Sequence, residues 1–406
     1  MMKAASPEVS LKWVIALRSG TSCEERLVDG PFPVMGAAGV IGRTTHANTK
    51  AGSVIIGRVG TVGAVNQAHT DCWASDNTIV ATAGPTVSSS FMYYLLLSAH
   101  LPDLASKTAQ PLLTATAIGS RRFRIADLTE QHRISDFLDV ETARIDKLAE
   151  ARRHQLSLLN ERFKGFVLRT IRGQDEPSPR TQSGLGWLGS VPTNWPVMPV
   201  SYQFEVLLGK MLSQESSRGP HLRPYLRNTN VQWDYIATED LLLMNFPPEE
   251  QNRYAVRPGD LLVCEGGEPG RAAIWHGKVR EIYYQKALHR VRARDYSSPR
   301  WLYYCLRAAT SLNVFAAEGN ATTISHLTGE QLRAHRFPFP ERDTQDRLVA
   351  RLDASARTHE QLKRLLQEQL ALLAERRQAL ITAAVTGQFD VSTASGRNIT
   401  DGVPTV

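Results

Sequence analysis

Residues 133–174, RISDFLDVETARIDKLAEARRHQLSLLNERFKGFVLRTIRGQ, decide the fold, because the chain contains this segment twice. The second copy is residues 347–388, RLVARLDASARTHEQLKRLLQEQLALLAERRQALITAAVTGQ. A constant offset of 214 residues aligns the copies without a gap, and about a dozen aligned positions are identical. A long segment that occurs twice predicts a tandem duplication, which is the first pattern to establish in any sequence.

Each copy predicts one long helix. Proline is absent from both, and Gly173 and Gly387 stand where a helix would end. A helix of this length extends about 60 Å at 1.5 Å per residue, so it needs a packing partner, and the other copy is the natural one. Apolar residues recur at spacings of three, four and seven in both copies, as in a coiled coil: Leu138, Ile145, Leu148, Leu156, Leu159, Phe163 and Phe166, then Leu348, Leu352, Leu362, Leu366, Leu370, Leu373 and Leu380.

The duplication extends upstream of both helices. Residues 51–63, AGSVIIGRVGTVG, align with residues 258–270, PGDLLVCEGGEPG, and three glycines coincide at an offset of 207. Each piece predicts a strand that enters a tight turn, where glycine supplies positive φ angles. The segments FMYYLLL from Phe91 and WLYYCLR from Trp301 follow and predict short amphipathic helices.

Composition describes an ordinary globular chain of 406 residues with a net charge of +7 and a pI near 9.3. The basic excess permits a polyanionic partner without requiring one. No apolar run is long enough to span a membrane, and the first residues lack the apolar core of a signal peptide. Four separated cysteines form no CxxC pair, so we expect no disulfide framework or zinc site and a cytoplasmic location.

These patterns predict an α+β protein. Two tandem domains of mixed β-sheet and short helices are each followed by a long helix, and the helices pack as an antiparallel coiled coil with pseudo-two-fold symmetry. The segments from 175 to 194 are rich in Pro, Gly and Ser and predict a linker. The predicted segments are 1–128 (first recognition domain), 129–174 (first helical spacer), 175–194 (linker), 195–340 (second recognition domain), 341–388 (second helical spacer) and 389–406 (disordered tail).

Catalytic patterns are weak. The chain has no phosphate-binding loop of the G-x-x-x-x-G-K-[ST] type, and its histidines show no metal-ligand spacing. Asp260 and Glu265 flank an apolar strand like a nuclease carboxylate pair, but Gly267 stands where such sites place a lysine. The sequence therefore predicts neither a catalytic site nor a metal site in this chain.

The order of motifs, repeated twice, resembles the specificity subunit of type I restriction-modification systems from about Trp13 to Gln388. In the first half these motifs are GRVGTVGAV, WASDNTIV, TAQPLL, LTEQHRISDFLD and ARIDKL; in the second they are PGDLLVCEGGEPGRAAI, GNATTISHLTGEQLRAHRFPFP and RLVARLD. The family usually has Pro-x-x-Glu-Gln before each helix. The first copy keeps Glu130-Gln131 without the proline, and the second keeps Pro340 and Gln345 with Thr344 in place of Glu.

The resemblance implies a non-catalytic DNA-recognition subunit. Each globular half would read one half of an asymmetric bipartite DNA site, and the helices would set the gap and dock two methyltransferase subunits. Restriction/translocase subunits would join this core. S-adenosylmethionine, magnesium and ATP are expected on the partner subunits, and no cofactor is expected on this chain.

Residues that reach groove edges or phosphates are expected on the loops that differ between the halves. The DNA-binding candidates are Arg43, Thr44, His46, Asn48, Lys50, Arg58, Lys107, Thr108, Gln110, Arg218, His221, Arg223, Arg227, Asn228, Arg271, Asn320 and Thr322. The adjacent Arg121, Arg122 and Arg124 suit either phosphate contacts or a solvated charge run.

Partner contacts are expected on the helix faces that flank the apolar stripe: Phe163, Phe166, Leu365 and Leu372. The alternative is a scaffold protein whose tandem modules bind other proteins and not DNA. Acidic or apolar loops in place of the Arg- and Asn-rich ones would favour that alternative.

Overall fold

The computed structural model describes residues 8–24, 27–214, 216–317 and 326–391. Within this part the chain forms two compact units, 1–154 with 366–406 and 155–365. Each unit therefore contains one globular half, the beginning of the long helix that follows it and the end of the other long helix. The predicted segment boundaries stay predictions, because these units divide both long helices.

The first unit contains two main sheets, an additional two-stranded sheet, short helices and parts of both long helices. The larger sheet has the order β2-β8-β5-β6 and the smaller has the order β4-β3-β7, with β3 and β7 parallel. The elements are β1 (Glu8–Ser10), β2 (Ile15–Ser19), β3 (Phe32–Gly36), β4 (Gly39–Thr44), β5 (Val54–Gly57), β6 (Val65–Gln67), β7 (Trp73–Ala74), β8 (Thr78–Ala83), α1 (Ser89–Ser98), α2 (Ala115–Ser120), β9 (Arg122–Arg124) and α3 (Leu128–Ile171).

The second unit repeats this topology. Its larger sheet has the order β13-β21-β18-β19 and its smaller sheet has the order β17-β14-β20, with β14 and β20 parallel. The elements are β10 (Arg180–Gln182), β11 (Ser190–Pro192), β12 (Val197–Pro199), α4 (Val200–Gln203), β13 (Phe204–Leu208), β14 (Leu222–Leu226), β15 (Val231–Gln232), β16 (Tyr235–Ile236), β17 (Leu242–Asn245), α5 (Pro248–Tyr254), β18 (Leu261–Cys264), β19 (Ala272–Ile274), β20 (Tyr283–Tyr284), β21 (Leu288–Ala293), α6 (Pro299–Ser311), α7 (Val314–Ala317), α8 (Gly329–Ala334), β22 (Arg336–Pro338) and α9 (Arg342–Val385).

The glycine turns confirm the repeat at the level of single backbone angles. All three aligned pairs, Gly52 with Gly259, Gly60 with Gly267 and Gly63 with Gly270, have φ between 74° and 92°. A Cβ on Gly63 would stand 2.6 Å from Pro102, and a Cβ on Gly270 would stand 2.5 Å from Phe315. Glycine is therefore required at this pair both for its φ angle and for the close approach of a neighbouring segment.

Both long helices contribute to both cores. In the first unit, Ile134 and Leu138 at the beginning of α3 share a core with Ile381 at the end of α9. In the second unit, the equivalent Leu348 and Leu352 at the beginning of α9 share a core with Val167, Phe163 and Ile171 at the end of α3. The end of each helix thus completes the hydrophobic core of the other globular half.

The helices are antiparallel within each unit, as predicted. In the first unit the Asp146 carboxylate lies 3.0 Å from the Arg377 guanidinium, while Phe137 packs on Phe389, later in the chain. In the second unit Asn160 lies 3.0 Å from His359, and Asp175 pairs with Arg351 at 3.4 Å. Residue numbers rise along one helix as they fall along the other, which defines an antiparallel pair. Pseudo-two-fold symmetry between the units stays a prediction.

Three details of the predicted organisation are wrong. The predicted linker 175–194 is folded, because β10 and β11 form a hairpin and Leu188 and Val191 are buried in the second core. The predicted disordered tail begins too early, because Phe389 packs on Phe137 and Val391 is buried; residues 392–406 lie outside the described part. Finally, the apolar stripe is not continuous, since Leu148 and Leu362 are exposed.

Candidate nucleic-acid interface

A buried glutamine attaches each globular half to its own long helix. Gln131 in α3 is fully buried; its Oε1 accepts from the backbone N–H of Ser88 at 2.8 Å, and its Nε2 donates to two carbonyls. Gln345 in α9 accepts from Ser298 N–H at 2.9 Å and donates to Ser297 and Pro340. Ser88 and Ser298 cap α1 and α6, so the two glutamines fix the same helix in both units.

The first-unit DNA candidates lie at the end of β4 and on three loops, and they differ in their access to solvent. His46, Lys50, Lys107 and Gln110 are exposed, and Thr108 beside them donates to the Gln110 carbonyl at 2.7 Å. The loop from 107 to 110 therefore presents its cation and its amide to solvent. This exposure is what contact with groove edges and phosphates requires.

Arg43 and Lys50 are also exposed, but each has a partner within the unit. The Arg43 guanidinium donates to the carbonyls of Gly30 and Pro31. Lys50 forms a surface ion pair with Asp71 at 2.8 Å, which raises the pKa of the lysine and lowers the pKa of the Asp71 carboxyl. Exposed ion pairs of this kind contribute little to stability, so a phosphate can replace the aspartate.

Two first-unit candidates are wrong. Thr44 is 3% exposed and cannot reach a ligand. The Asn48 amide is fully used inside the loop: its Oδ1 accepts from Ala74 N–H at 2.7 Å, and its Nδ2 donates to Thr21 and to the Ala74 carbonyl. Asn48 therefore holds the loop and does not read bases. Arg58 is half-buried, and its backbone bonds to Asn77 and Leu113.

In the second unit, Asn228 and Arg271 form an internal pair. Arg271 Nη2 donates to Asn228 Oδ1 at 3.1 Å, and Asn228 Nδ2 donates to the Gly266 carbonyl at 2.8 Å. This pair ties the loop after β14 to the glycine turn after β18. Both residues therefore have a structural role, and their contacts with DNA stay a prediction.

The remaining second-unit candidates surround the ribbon formed by β14 and β17. Arg218 is exposed, and His221 and Arg223 are half-buried, with Arg223 3.4 Å from Glu281. Arg227 donates to the Asp240 carboxylate at 2.6 Å. Asn320 and Thr322 lie outside the described residues.

The arginines at positions 121, 122 and 124 also divide between internal contacts and exposure to solvent. Arg121 donates to the Ala99 carbonyl at 3.2 Å and Arg122 donates to the Glu8 carbonyl at 3.0 Å, while Arg124 on β9 is exposed. Arg122 thus helps to hold the strand pair β1–β9, and Arg121 bonds to the C-terminal end of α1. Arg124 keeps its head group in solvent.

The partner-binding candidates differ in their exposure to solvent. Phe163 is 5% exposed and stacks on His359 with ring centroids 4.5 Å apart, so it belongs to the second core and offers no surface. Phe166 is partly buried against the same core. Leu365 and Leu372 are 46% and 63% exposed, as a docking surface requires.

Sequence reasoning missed the most regular feature of the helix surfaces. Leu148 and Leu362 align at the offset of 214, and both are exposed; Leu158 and Leu372 align in the same way and are also exposed. The first unit therefore carries Leu148 and Leu372, and the second carries the equivalent Leu362 and Leu158. Identical residues at aligned positions were the available signal, but periodicity alone assigned Leu148 and Leu362 to the core.

One member of the carboxylate pair that flanks β18, Asp260, is engaged in internal contacts. Asp260 is 2% exposed and forms a two-point ion pair with Arg292, at 2.7 Å from each carboxylate oxygen. It also accepts from the Arg257 backbone N–H, so it is saturated and structural. No group of three or more His, Cys, Asp or Glu residues in the described part is placed to hold a metal ion. None of the described helices is long and apolar enough to cross a membrane.

A family model matches most of the first half of the chain. Residues 11–157 match the family model of the type I restriction modification DNA specificity domain. The resemblance predicted from the sequence is thereby confirmed for the first specificity domain, and the topology of that domain is repeated in the second unit. No curated protein matches the chain.

Solved structures extend the comparison to nearly the whole chain. A chain from a structure described as the basis of complex assembly and conformational transition of the type I R-M system is 17% identical, with 96% of this chain and 100% of that chain covered and a TM-score of 0.65. The HsdS subunit from Thermoanaerobacter tengcongensis is 16% identical, with coverages of 95% and 98% and a TM-score of 0.49. The type I S subunit from M. genitalium is 15% identical, with coverages of 95% and 98% and a TM-score of 0.40.

Proposed function

We propose that this chain is the DNA sequence-recognition subunit of a type I restriction-modification complex. The observation that carries the proposal is a DNA specificity domain in the first half whose strand order recurs in the second half. Two such domains in one chain read two half-sites. Because their loops differ in sequence, the complete site is bipartite and asymmetric.

The loop chemistry supports DNA and not another protein as the ligand of both domains. Exposed cations and amides stand on these loops, with Lys107 and Gln110 in the first unit and Arg218 in the second. Arginine and lysine provide phosphate contacts, and amide side chains provide base contacts in the major groove.

The duplicated leucines support docking of two copies of one partner. Leu148 with Leu372, and Leu362 with Leu158, place the same apolar pair on the two helices of each unit. By the register of the Asp146–Arg377 contact, Leu148 and Leu372 lie at a similar level of the two helices in the first unit. By the register of the Asn160–His359 contact, Leu158 and Leu362 do so in the second. We infer that one methyltransferase subunit docks on each pair, and that restriction/translocase subunits join through the methyltransferases.

Catalysis belongs to the partners in this proposal. The methyltransferase supplies S-adenosylmethionine chemistry on adenine, and the restriction/translocase subunits supply ATP- and magnesium-dependent steps. This chain binds no cofactor and orients the complex on DNA. Its saturated carboxylates, such as Asp260, are consistent with that division of roles.

Salt-dependent binding tests the DNA interface. Lys107→Ala combined with Arg218→Ala should weaken DNA binding by the partner-bound complex and lower the slope of log affinity against log salt by about 0.9 for each lost phosphate contact. Lys363→Ala, a charge change on α9 away from these loops, is the matched control and should leave the slope unchanged. An unchanged slope in the double variant would show that these loops do not touch the DNA backbone.

A further inference from the structure

A second polar contact attaches each specificity domain to its long helix. Tyr94 in α1 donates to the Asp139 carboxylate in α3 at 2.6 Å, and Tyr304 in α6 donates to the Asp353 carboxylate in α9 at 2.6 Å. The two aspartates align at the offset of 214, and the two tyrosines align at 210. Both tyrosines are buried, which raises their pKa values well above the ordinary range and keeps them as hydrogen-bond donors.

Each domain is thus held at two points on one helix. The aspartate follows the buried glutamine by eight residues in both copies, Gln131 to Asp139 and Gln345 to Asp353. Eight helical residues span about 12 Å. The shared apolar core also holds each domain to the helices. Because apolar packing is non-directional, two polar contacts separated along the axis fix the angle of the domain more strictly than one contact would.

The second unit has an additional link that the first unit lacks. Arg300 in α6 donates to Asp353 at 2.8 Å and also to Asp234 in the turn between β15 and β16. The aligned position in α1 is Ser90, which is too short to reach the helix in the same way. The Asp353 carboxylate therefore accepts from two α6 side chains, Tyr304 and Arg300, whereas Tyr94 is the α1 side chain that donates to Asp139.

We propose that the Tyr94–Asp139 and Tyr304–Asp353 contacts are positioning contacts that determine how strictly the complex measures the gap between its two half-sites. This inference rests on the proposed DNA-recognition function. A swivel of roughly 10° displaces a surface about 20 Å from the helix by about 3.5 Å, close to the rise of one base pair. A domain held at one angle rejects a half-site shifted by one base pair, and a domain free to swivel accepts it.

The test uses the complete complex of this chain with its methyltransferase partner and S-adenosylmethionine. Substrates are duplexes that carry the native bipartite site with its native gap, or with a gap one base pair longer or shorter. The measured quantity is the methylation rate on altered gaps divided by the rate on the native gap. A loss of stability alone lowers all rates together and leaves this ratio unchanged.

Four variants separate the outcomes. Tyr94→Phe should raise the ratio roughly tenfold, because it removes a hydrogen bond to a charged group and keeps the ring. Tyr304→Phe should have a smaller effect, because Arg300 still holds Asp353, and Tyr304→Phe with Arg300→Met should match Tyr94→Phe. Tyr283→Phe, at a buried tyrosine stacked on Phe246, is the control and should change nothing.

A wild-type ratio in Tyr94→Phe, or an equal fall in rate on every substrate, would overturn the inference and leave the proposed function intact. A wild-type complex that methylates no bipartite site would overturn the proposed function and the inference with it.

Discussion

Gln131 and Gln345 show how much a single buried side chain can contribute to the stability of this protein. Each satisfies one backbone N–H and two oxygen acceptors at the junction of a capped helix and a long helix. Replacing either with leucine keeps the volume and leaves those buried groups without partners. We predict a loss of about 2–4 kcal/mol in the free energy of unfolding for each variant.

Urea denaturation of the purified chain measures this loss. Gln367→Leu, at an exposed position of α9, is the control and should change the free energy of unfolding by no more than about 0.5 kcal/mol. If Gln131→Leu and Gln345→Leu leave the free energy of unfolding nearly unchanged, water must supply the hydrogen bonds that the buried groups at the junction have lost.

Two buried histidines make stability depend on pH. Burial lowers the pKa of His289 and of His359, and Arg307 lowers the pKa of His359 further. Because the folded-state pKa values lie below the ordinary value near 6.5, the unfolded chain binds protons more readily. The stability contributed by the neutral rings is fully present above pH about 6.5 and is lost as pH falls towards the folded-state values.

The chain should therefore unfold at lower urea concentration at pH 5.5 than at pH 7.5. His359→Gln keeps a hydrogen-bonding group beside Asn160 and cannot titrate, so it should reduce the difference between the two pH values. His276→Gln, at an exposed histidine, should not reduce it. An equal pH dependence in all three proteins would exclude His359 as a source.

Residue roles were predictable only where the backbone imposes them. The positive φ angles at Gly60, Gly63 and their counterparts follow from glycine spacing after a strand. The internal role of Asn48 did not follow, because the carbonyl and amide that it meets belong to Ala74, 26 residues away. Polar side chains on loops serve internal turns and external ligands equally well, and sequence does not separate the two uses.

At the scale of elements, packing depends most on the C-terminal end of each long helix, which enters the hydrophobic core of the other globular half. Ile381 and Ile171 are fully buried, each in the core of the globular half that precedes the other helix. Truncating either to alanine opens a cavity and should cost about 2–5 kcal/mol. Ile381→Ala should weaken the first unit, and Ile171→Ala should weaken the second.

Hydrogen exchange locates the effect. In Ile381→Ala the amides of Ile55 and Leu95 should lose protection while those of Val263 and Leu306 keep theirs, and Ile171→Ala should show the reverse. Loss of protection in the opposite unit would contradict the assignment of helix ends to cores.

The elements themselves were largely predictable. The repeated glycine turns, Tyr-Tyr helices and long helices all stand where the periodicity placed them, with α3 at Leu128–Ile171 and α9 at Arg342–Val385. The hairpin of β10 and β11 was not predicted, because its Pro, Gly and Ser content is also that of a linker. The exposure of Leu148 and Leu362 was missed because a coiled-coil period does not reveal which leucines a neighbouring helix covers.

At the scale of the whole molecule, the duplication accounts for two equivalent sets of surfaces in one chain. In the proposed function, the two repeated domains provide two reading surfaces, and the two equivalent leucine pairs provide two docking positions for one kind of partner. Replacing Leu148 and Leu372 with Asp should remove one methyltransferase from the complex, and adding Leu158→Asp and Leu362→Asp should remove both. Mass determination of the reconstituted complex checks the stoichiometry, with Lys363→Asp as the control.

If the variant with all four leucines replaced still binds two methyltransferase subunits, the partner docks elsewhere. That result would not bear on DNA recognition.

The central claim, that this chain chooses the DNA sequence, is tested most directly by mapping methylated adenines across the genome of a strain with and without the chain. The account predicts one asymmetric bipartite motif, methylated in both parts, that disappears when the chain is deleted and returns when it is restored. Identical methylation maps in the two strains, or a lost motif that is contiguous and palindromic, would contradict it.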